Sequence, residues 1–234
     1  MKKILILGAS SDIGVELTKI FLKNNWKVLA HYNLNSLNLK KIKNKKLKLF
    51  KLNFLNNIET IEKIIGFLKY EKVDSFINLT GHIDNNTFYN FSINQLVNTM
   101  KINTIIPYYI IQKIIKNMLK YKFGRILLTS SIGVKYGGGK TTFNYSLSKK
   151  ANQFIPGEYK NWATKNVLIN SLIIGVTNTK IHKKISKKNL NKRKKLIPIK
   201  RFASTIEISK YMFYLLSEEN TFITGENLSI SGGE

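Results

Sequence analysis

The chain has 234 residues, with 39 Lys or Arg against 13 Asp or Glu and no cysteine. The lack of cysteine excludes disulfides and thiolate metal sites. No apolar stretch approaches the ~18 residues needed to span a bilayer, so we expect a soluble cytoplasmic protein. The chain length fits one domain, residues 1–234. The net charge of +26 suggests nucleic acid as a partner, but aromatic residues do not interleave with the basic runs as base stacking requires.

Short apolar runs alternate with longer segments of helical period, which is typical of βαβ units and a parallel sheet. Strands are predicted near residues 4–7, 27–32, 47–54, 75–79, 125–130, 167–174 and 227–231. Helices are predicted over residues 13–24, 58–70, 93–121, 143–165 and 205–217. The predicted fold class is α/β, a Rossmann-type doubly wound, seven-stranded, mostly parallel sheet with helices on both faces and ligands at the carboxyl ends of the strands.

Pro156 falls within the helix predicted over residues 143–165. Proline removes a backbone donor and clashes with the preceding helical turn. We therefore expect a kink or an early break in this helix, about two turns beyond Lys149.

The first predicted strand runs into a turn that begins at Gly8 and reaches Gly14 as a helix opens. Glycine permits a tight turn and a close approach of the backbone to a pyrophosphate, which the helix N-terminus stabilises. Asp12 lies between the two glycines, where its side chain could cap the helix, although a carboxylate repels phosphate. A plain strand-to-helix turn explains these residues about as well.

Tyr145 and Lys149 share one face of a predicted helix, with their Cβ atoms roughly 5–6 Å apart. A free phenol has a pKa of about 10, and a cation beside it favours the phenolate and lowers that pKa. The pair therefore predicts an acid–base function. The alternative is a solvated helical face, since this spacing arises by chance in a chain with 11 Tyr and abundant Lys.

The chain resembles the compact, single-domain short-chain dehydrogenases/reductases from residue 4 to residue 233. The turn between Gly8 and Gly14 is similar to that family's glycine-rich turn, with Asp12 in place of the middle glycine. Further similar segments follow in the family's order, namely Asn78-Leu79-Thr80-Gly81, Asn103 on a helix, Ser131 after the fifth strand, Tyr145 with Lys149, residues 170–179 with Ile174 where proline is usual, and Arg201 with residues 225–233.

The resemblance implies that Asn103, Ser131, Tyr145 and Lys149 are catalytic. Tyr145 would exchange a proton with the substrate oxygen, and Lys149 would tune the tyrosine and hold the nicotinamide ribose. Ser131 would polarise the carbonyl, with Ser130 as the competing candidate. Asn103 would position a water in a proton relay, or have a structural role.

The resemblance also implies a nicotinamide cofactor. NAD-binding folds usually carry an acid about 20 residues past the glycine turn, yet no Asp or Glu occurs between Glu16 and Glu59. Because the lysine-rich residues 40–51 follow nearby, NADP(H) is preferred over NAD(H), unless these lysines are solvated background. The expected cofactor-binding residues are Gly8, Ser10, Ser11, Asp12, Ile13, Gly14, His31, Tyr32, Asn33, Asn53, Asn78, Gly81, Tyr145, Lys149, Gly175, Thr177 and Thr179.

A second basic cluster has eleven Lys or Arg within residues 180–201. The resemblance places a substrate lid at about residues 176–201. The cluster is then either a solvated lid or a landing surface for an anionic substrate, such as an acyl carrier protein, a coenzyme A thioester or a nucleotide-linked sugar.

The predicted function is that of an NADP(H)-dependent oxidoreductase that interconverts a ketone and a secondary alcohol. A 3-oxoacyl-thioester reductase and a carbohydrate-pathway reductase are both open, and the resemblance implies a homotetramer or homodimer. The alternative is a non-catalytic protein of this fold, either a cofactor sensor or a nucleic-acid-binding protein. No metal site is expected, because His31, His82 and His182 form no ligand pair.

Overall fold

Seven parallel strands form one sheet in this computed structural model, which describes residues 1–180 and 187–234, with backbone alone for residues 187 and 188. The sheet order is β3-β2-β1-β4-β5-β6-β7, and each neighbouring pair is parallel. The strands are β1 (Lys3–Leu7), β2 (Lys27–Tyr32), β3 (Leu47–Lys51), β4 (Ser75–Asn78), β5 (Gly124–Ser131), β6 (Val167–Ile174) and β7 (Asn227–Ile230). The predicted doubly wound sheet is confirmed.

Helices cover both faces of the sheet. They are α1 (Asp12–Lys23), α2 (Leu37–Lys40), α3 (Ile58–Ile65), α4 (Ile93–Met100), α5 (Ile106–Lys120), α6 (Phe143–Ala151), α7 (Tyr159–Ala163), α8 (Lys187–Leu196) and α9 (Thr205–Leu216). Side chains alternate across a strand, so Leu5 and Leu7 of β1 join the core formed with α3 and α5. Ile4 and Ile6 join the second core, formed with α1 and α9.

The third strand is shorter than predicted, because it ends at Lys51 rather than at residue 54. The Leu52 N–H still donates to the Tyr32 carbonyl oxygen at 3.1 Å. Beyond that bond the chain leaves the ladder, and Leu52 and Phe54 bury their side chains in the core. Their apolar character therefore reflects burial and not strand pairing.

The helix predicted over residues 93–121 contains a π-helical turn, Lys101–Ile105, between α4 and α5. Such turns are rare and often occur at functional sites. The turn contains Asn103, which is fully buried. Its backbone carbonyl oxygen accepts hydrogen bonds from the side-chain amides of Asn78 and Asn152 at 2.9 and 3.0 Å.

The helix predicted over residues 143–165 is interrupted. α6 ends at Ala151, five residues before Pro156, and α7 begins at Tyr159. The expected break is present, but it comes two residues beyond Lys149 rather than about two turns beyond it. None of the helices within residues 1–180 and 187–234 is both long and apolar enough to cross a membrane.

Candidate active site

A cavity of about 780 Å³ lies where β1, β4, β5 and β6 end. Strand order reverses between β1 and β4, which is where doubly wound sheets bind ligands, and the volume lies within the range of small-molecule sites. The predicted site residues that line it are Gly8, Ser10, Ser11, Asp12, Ile13, His31, Asn33, Asn53, Gly81, Ser131, Tyr145, Lys149, Gly175, Thr177 and Thr179. Gly14, Tyr32, Asn78 and Asn103 are not among the lining residues.

The glycine turn brings the backbone close to β4 and leaves the start of α1 open to the cavity. Gly8 has a φ of +70°, and a Cβ there would lie 2.9 Å from the backbone of Leu79. The helix is capped by Ser11, whose Oγ accepts the Gly14 N–H at 3.1 Å. The suggestion that Asp12 caps α1 is therefore wrong, since Ser11 already occupies the N-cap position.

The turn fits a phosphate-bearing dinucleotide. A side chain at Gly8 would obstruct the close backbone approach, and the N-terminus of α1 presents N–H groups and a positive dipole end. Ser10, Ser11 and Ile13 line the same wall. These residues would hold the pyrophosphate of a bound cofactor.

Hydrogen bonds of His31 join this turn to the neighbouring strands. Its Nδ1 accepts the Gly8 N–H at 3.1 Å, and its Nε2 lies 2.9 Å from the Leu52 carbonyl oxygen. This network assigns the neutral Nε2–H tautomer. Burial lowers the His31 pKa to about 4. The ring stacks on Phe54, with ring centroids 4.6 Å apart. Both ring nitrogens form hydrogen bonds with the protein backbone.

Tyr145 and Ser131 both line the cavity wall. Burial raises the pKa of Tyr145, while the nearby Ser131 hydroxyl lowers it. The net direction is upward, so the phenol stays protonated at neutral pH. A protonated phenol beside a second hydroxyl can donate to a carbonyl oxygen.

Ser130, the competing candidate, forms hydrogen bonds with other groups. Ser130 Oγ donates to the Lys149 carbonyl oxygen at 2.8 Å and accepts from Gln153 Nε2 at 3.0 Å. Its hydrogen bonds therefore join β5 to α6. Of the two adjacent hydroxyls, that of Ser131 is the one that affects the pKa of Tyr145.

Lys149 is buried and directs its ammonium at backbone oxygens. Its Nζ donates to the Thr80 carbonyl oxygen at 2.8 Å and to the Thr129 carbonyl oxygen at 3.2 Å. Burial lowers the pKa of Lys149 to about 7. The expected lowering of the Tyr145 pKa by Lys149 is not seen, because Nζ lies 5.8 Å from the centre of the tyrosine ring and is held by Thr80 and Thr129.

Asn103 organises the cavity from behind its wall. Its Oδ1 accepts the His82 N–H at 2.7 Å, and its Nδ2 donates to the His82 carbonyl oxygen at 3.1 Å and to Ser148 Oγ at 2.9 Å. These contacts hold the segment after β4 against α6. They support the structural role that the sequence left open, and the water relay stays a prediction.

Several wall residues were missed in the sequence. The signal was present for Thr80 and Thr129, which lie beside predicted strand ends, whereas isolated Asn residues carry no local pattern. Ser130 was the competing serine, and Val176 and Lys180 belong to the predicted lid. The lining residues not predicted are Asn35, Asn38, Leu52, Phe54, Leu79, Thr80, His82, Ile83, Ile102, Thr129, Ile132 and Ile174.

The described residues of the two basic clusters lie largely outside the cavity. Every lysine in residues 40–51 except the half-buried Lys46 is exposed, and none of the cluster lines the main cavity. Lys51 lines a neighbouring cavity of about 340 Å³, which shares Asn33, Leu52 and Asn53 with the first. In the predicted lid, residues 176, 177, 179 and 180 line the main cavity. His182 lies outside the described residues.

Comparison with known proteins identifies the family. A family model described as enoyl-(acyl carrier protein) reductase matches residues 8–234. The chain is 29% identical over 169 residues to a 3-oxoacyl-(acyl-carrier-protein) reductase of Buchnera aphidicola subsp. Schizaphis graminum, covering 70% of this chain and 68% of that protein. A reductase of the same name from Thermotoga maritima is 27% identical over 242 residues, covering 99% of this chain and 97% of its own.

A solved structure agrees with the fold. The 3-oxoacyl (acyl-carrier-protein) reductase from Agrobacterium tumefaciens, with NADP bound, matches 100% of this chain and 94% of its own with a TM-score of 0.88 at 18% identity. The match of the family model over nearly the whole chain shows that this protein belongs to the short-chain dehydrogenase/reductase family of NAD(P)-dependent oxidoreductases.

Proposed function

We propose that the protein is an NADP(H)-dependent reductase that converts the ketone of a 3-oxoacyl thioester to a secondary alcohol. The observation that carries the reaction type is that Tyr145, Ser131 and Lys149 line one cavity, with the buried Lys149 on the same helix as the tyrosine. Relatives that are aligned over two thirds or more of their length and named 3-oxoacyl-(acyl-carrier-protein) reductases support the substrate class.

The protein supplies proton transfer and orientation. When a nicotinamide cofactor is bound, it supplies a hydride to the carbonyl carbon. Tyr145 donates its phenolic proton to the carbonyl oxygen, which completes the alcohol and leaves a phenolate. Ser131 donates a hydrogen bond to the same oxygen as negative charge develops there. The charged form of Lys149 would hold the nicotinamide ribose by hydrogen bonds, and solvent restores the proton of the phenolate.

Replacing the proton donor tests this mechanism. Tyr145→Phe keeps the ring and removes only the hydroxyl, so we expect kcat to fall by about 10²–10⁴-fold, the usual contribution of a positioned acid. NADPH consumption should be followed with a 3-oxoacyl thioester, an enoyl thioester, a simple ketone and a keto-sugar. The exposed Tyr136→Phe is the matched control.

The outcomes separate the alternatives. Unchanged carbonyl reduction by Tyr145→Phe would contradict the mechanism, and turnover of the enoyl thioester alone would replace the substrate class. Nucleic-acid binding without turnover of any substrate would favour a non-catalytic protein of this fold.

The preference for NADP(H) is supported by the adenosine end of the cavity. Asn33, Asn35 and Asn38 line it, and Asp12 is the only acidic residue among the described lining residues. A 2′-phosphate at β2 therefore meets neutral amides and no carboxylate.

A new carboxylate at this end tests the preference. Asn33→Asp is expected to reduce the kcat/KM ratio of NADPH over NADH about tenfold or more, because the carboxylate repels the phosphate and accepts from a free ribose hydroxyl. Asn44→Asp, at an exposed position that does not line the cavity, is the control. A clear NADH preference in the wild-type protein would contradict the proposal. Assembly as a homotetramer or homodimer stays a prediction.

A further inference from the structure

Asp12 has no counterpart among the glycines of the family's turn, and its carboxylate lies in the cavity wall. It is the first residue of α1, directly after the N-cap Ser11. A negative charge here lies beside the helix N-terminus that would bind a phosphate. That position is unfavourable unless the carboxylate also makes a stabilising contact. The structure shows such a contact.

The Asp12 carboxylate binds Lys180, which is 168 residues further along the chain. The Lys180 backbone N–H donates to Asp12 Oδ2 at 2.7 Å, and Lys180 Nζ lies 3.8 Å from Oδ1. The ion pair is long and its lysine is exposed, so it contributes little. The short bond from the backbone to a charged acceptor is the stronger of the two contacts.

Lys180 belongs to a segment that forms one wall of the cavity. The segment leaves β6 at Gly175, and its residues 175, 176, 177, 179 and 180 all line the cavity. Its first part is fixed by two backbone bonds, from Gly175 N–H to the Ile230 carbonyl oxygen at 2.9 Å and from Asn178 N–H to the Ala203 carbonyl oxygen at 2.8 Å. Asp12 holds this segment, at Lys180, against the start of α1.

We infer that Asp12 is a positioning residue for the nicotinamide half of the cofactor. Its carboxylate joins residues 177–180 to the glycine turn and so holds Thr177 and Thr179 against the part of the cavity that leads to Tyr145. The inference rests on the proposed function, since it requires a nicotinamide dinucleotide as ligand.

Binding measurements on variants of Asp12 test the inference. Dissociation constants should be measured by calorimetry for NADPH and for adenosine 2′,5′-bisphosphate, which lacks the nicotinamide half. Asp12→Ala removes the acceptor, and the expected result is a rise of about tenfold in the Kd for NADPH, the equivalent of one hydrogen bond to a charged group. The Kd for the bisphosphate should stay within about twofold of the wild-type value.

Two further variants isolate the backbone bond. Asp12→Asn keeps an oxygen that can accept the Lys180 N–H and should restore NADPH binding to within about threefold of wild type. Lys180→Ala removes the ammonium but keeps the N–H and should behave likewise. Asp12→Gly, which introduces the residue expected from the family's turn, should match Asp12→Ala and guards against a folding defect in that variant.

Each contrary result has a distinct meaning. An Asp12→Ala protein that binds NADPH as well as or better than wild type would overturn the positioning role. Equal weakening of NADPH and the bisphosphate would also overturn it, by placing the effect at the adenosine half. A wild-type protein that binds no nicotinamide dinucleotide would overturn the proposed function, and the inference with it.

Discussion

Alanine substitutions at Ser131 and Ser130 remove the same hydroxyl from adjacent residues of β5, yet different results are expected. The Ser131 hydroxyl lies with Tyr145 in the cavity wall, and its hydrogen bond from the Gly133 N–H is long at 3.3 Å. Ser130 Oγ is buried between the Lys149 carbonyl oxygen and Gln153 Nε2. The first hydroxyl faces the reacting group, and the second supports the helix.

The magnitudes follow from these contacts. Ser131→Ala removes a donor to the developing oxyanion, which costs about 2.7–4 kcal/mol in the transition state and lowers kcat about 10²–10³-fold. Its effect on the free energy of unfolding should stay below about 1 kcal/mol, because one weak contact is lost. Ser130→Ala leaves partners at the strand–helix interface unsatisfied and should lower that free energy by about 1–3 kcal/mol, with little loss of kcat.

Steady-state kinetics with NADPH and a 3-oxoacyl thioester give kcat and KM, and urea unfolding gives the stability of each variant. The two serines are each other's control, since the chemical change is identical. A larger loss of kcat from Ser130→Ala than from Ser131→Ala would show that Ser130 is the catalytic hydroxyl. Unchanged kcat in Ser131→Ala would remove that residue from the mechanism.

Two titrations provide further predictions. Burial lowers the pKa of Lys149 to about 7, so its ammonium loses its charge as the pH rises. We therefore expect kcat/KM for carbonyl reduction to fall about tenfold per pH unit above pH 7. A flat pH–rate profile would contradict this. His31 has a pKa of about 4 when folded against 6.5 when unfolded, so the unfolded state binds the proton first as pH falls. Between pH 7 and pH 5 the free energy of unfolding of the wild type should therefore fall by about 2 kcal/mol more than that of His31→Gln. Equal losses for the two proteins in urea unfolding would contradict the low pKa of His31.

The order and type of most elements could be predicted because apolar periodicity, glycine and proline act locally. Pro156 predicted the break that ends α6 before the expected length. The end of β3 was missed because Leu52 and Phe54 are apolar for burial in the core, and a sequence pattern does not distinguish burial from strand pairing. The π-helical turn around Asn103 was missed because it depends on hydrogen bonds from Asn78 and Asn152.

The sequence by itself determined which side chains to expect in the cavity, since its resemblance to the family pointed to Tyr145, Lys149 and Ser131, and all three line it. Only the tertiary structure decided which groups these and other polar residues contact. Lys149 binds the carbonyl oxygen of Thr80, and Asp12 binds the N–H of Lys180 instead of capping its own helix. Such partners are remote in sequence, and they meet because strand register and helix packing set the distances between them.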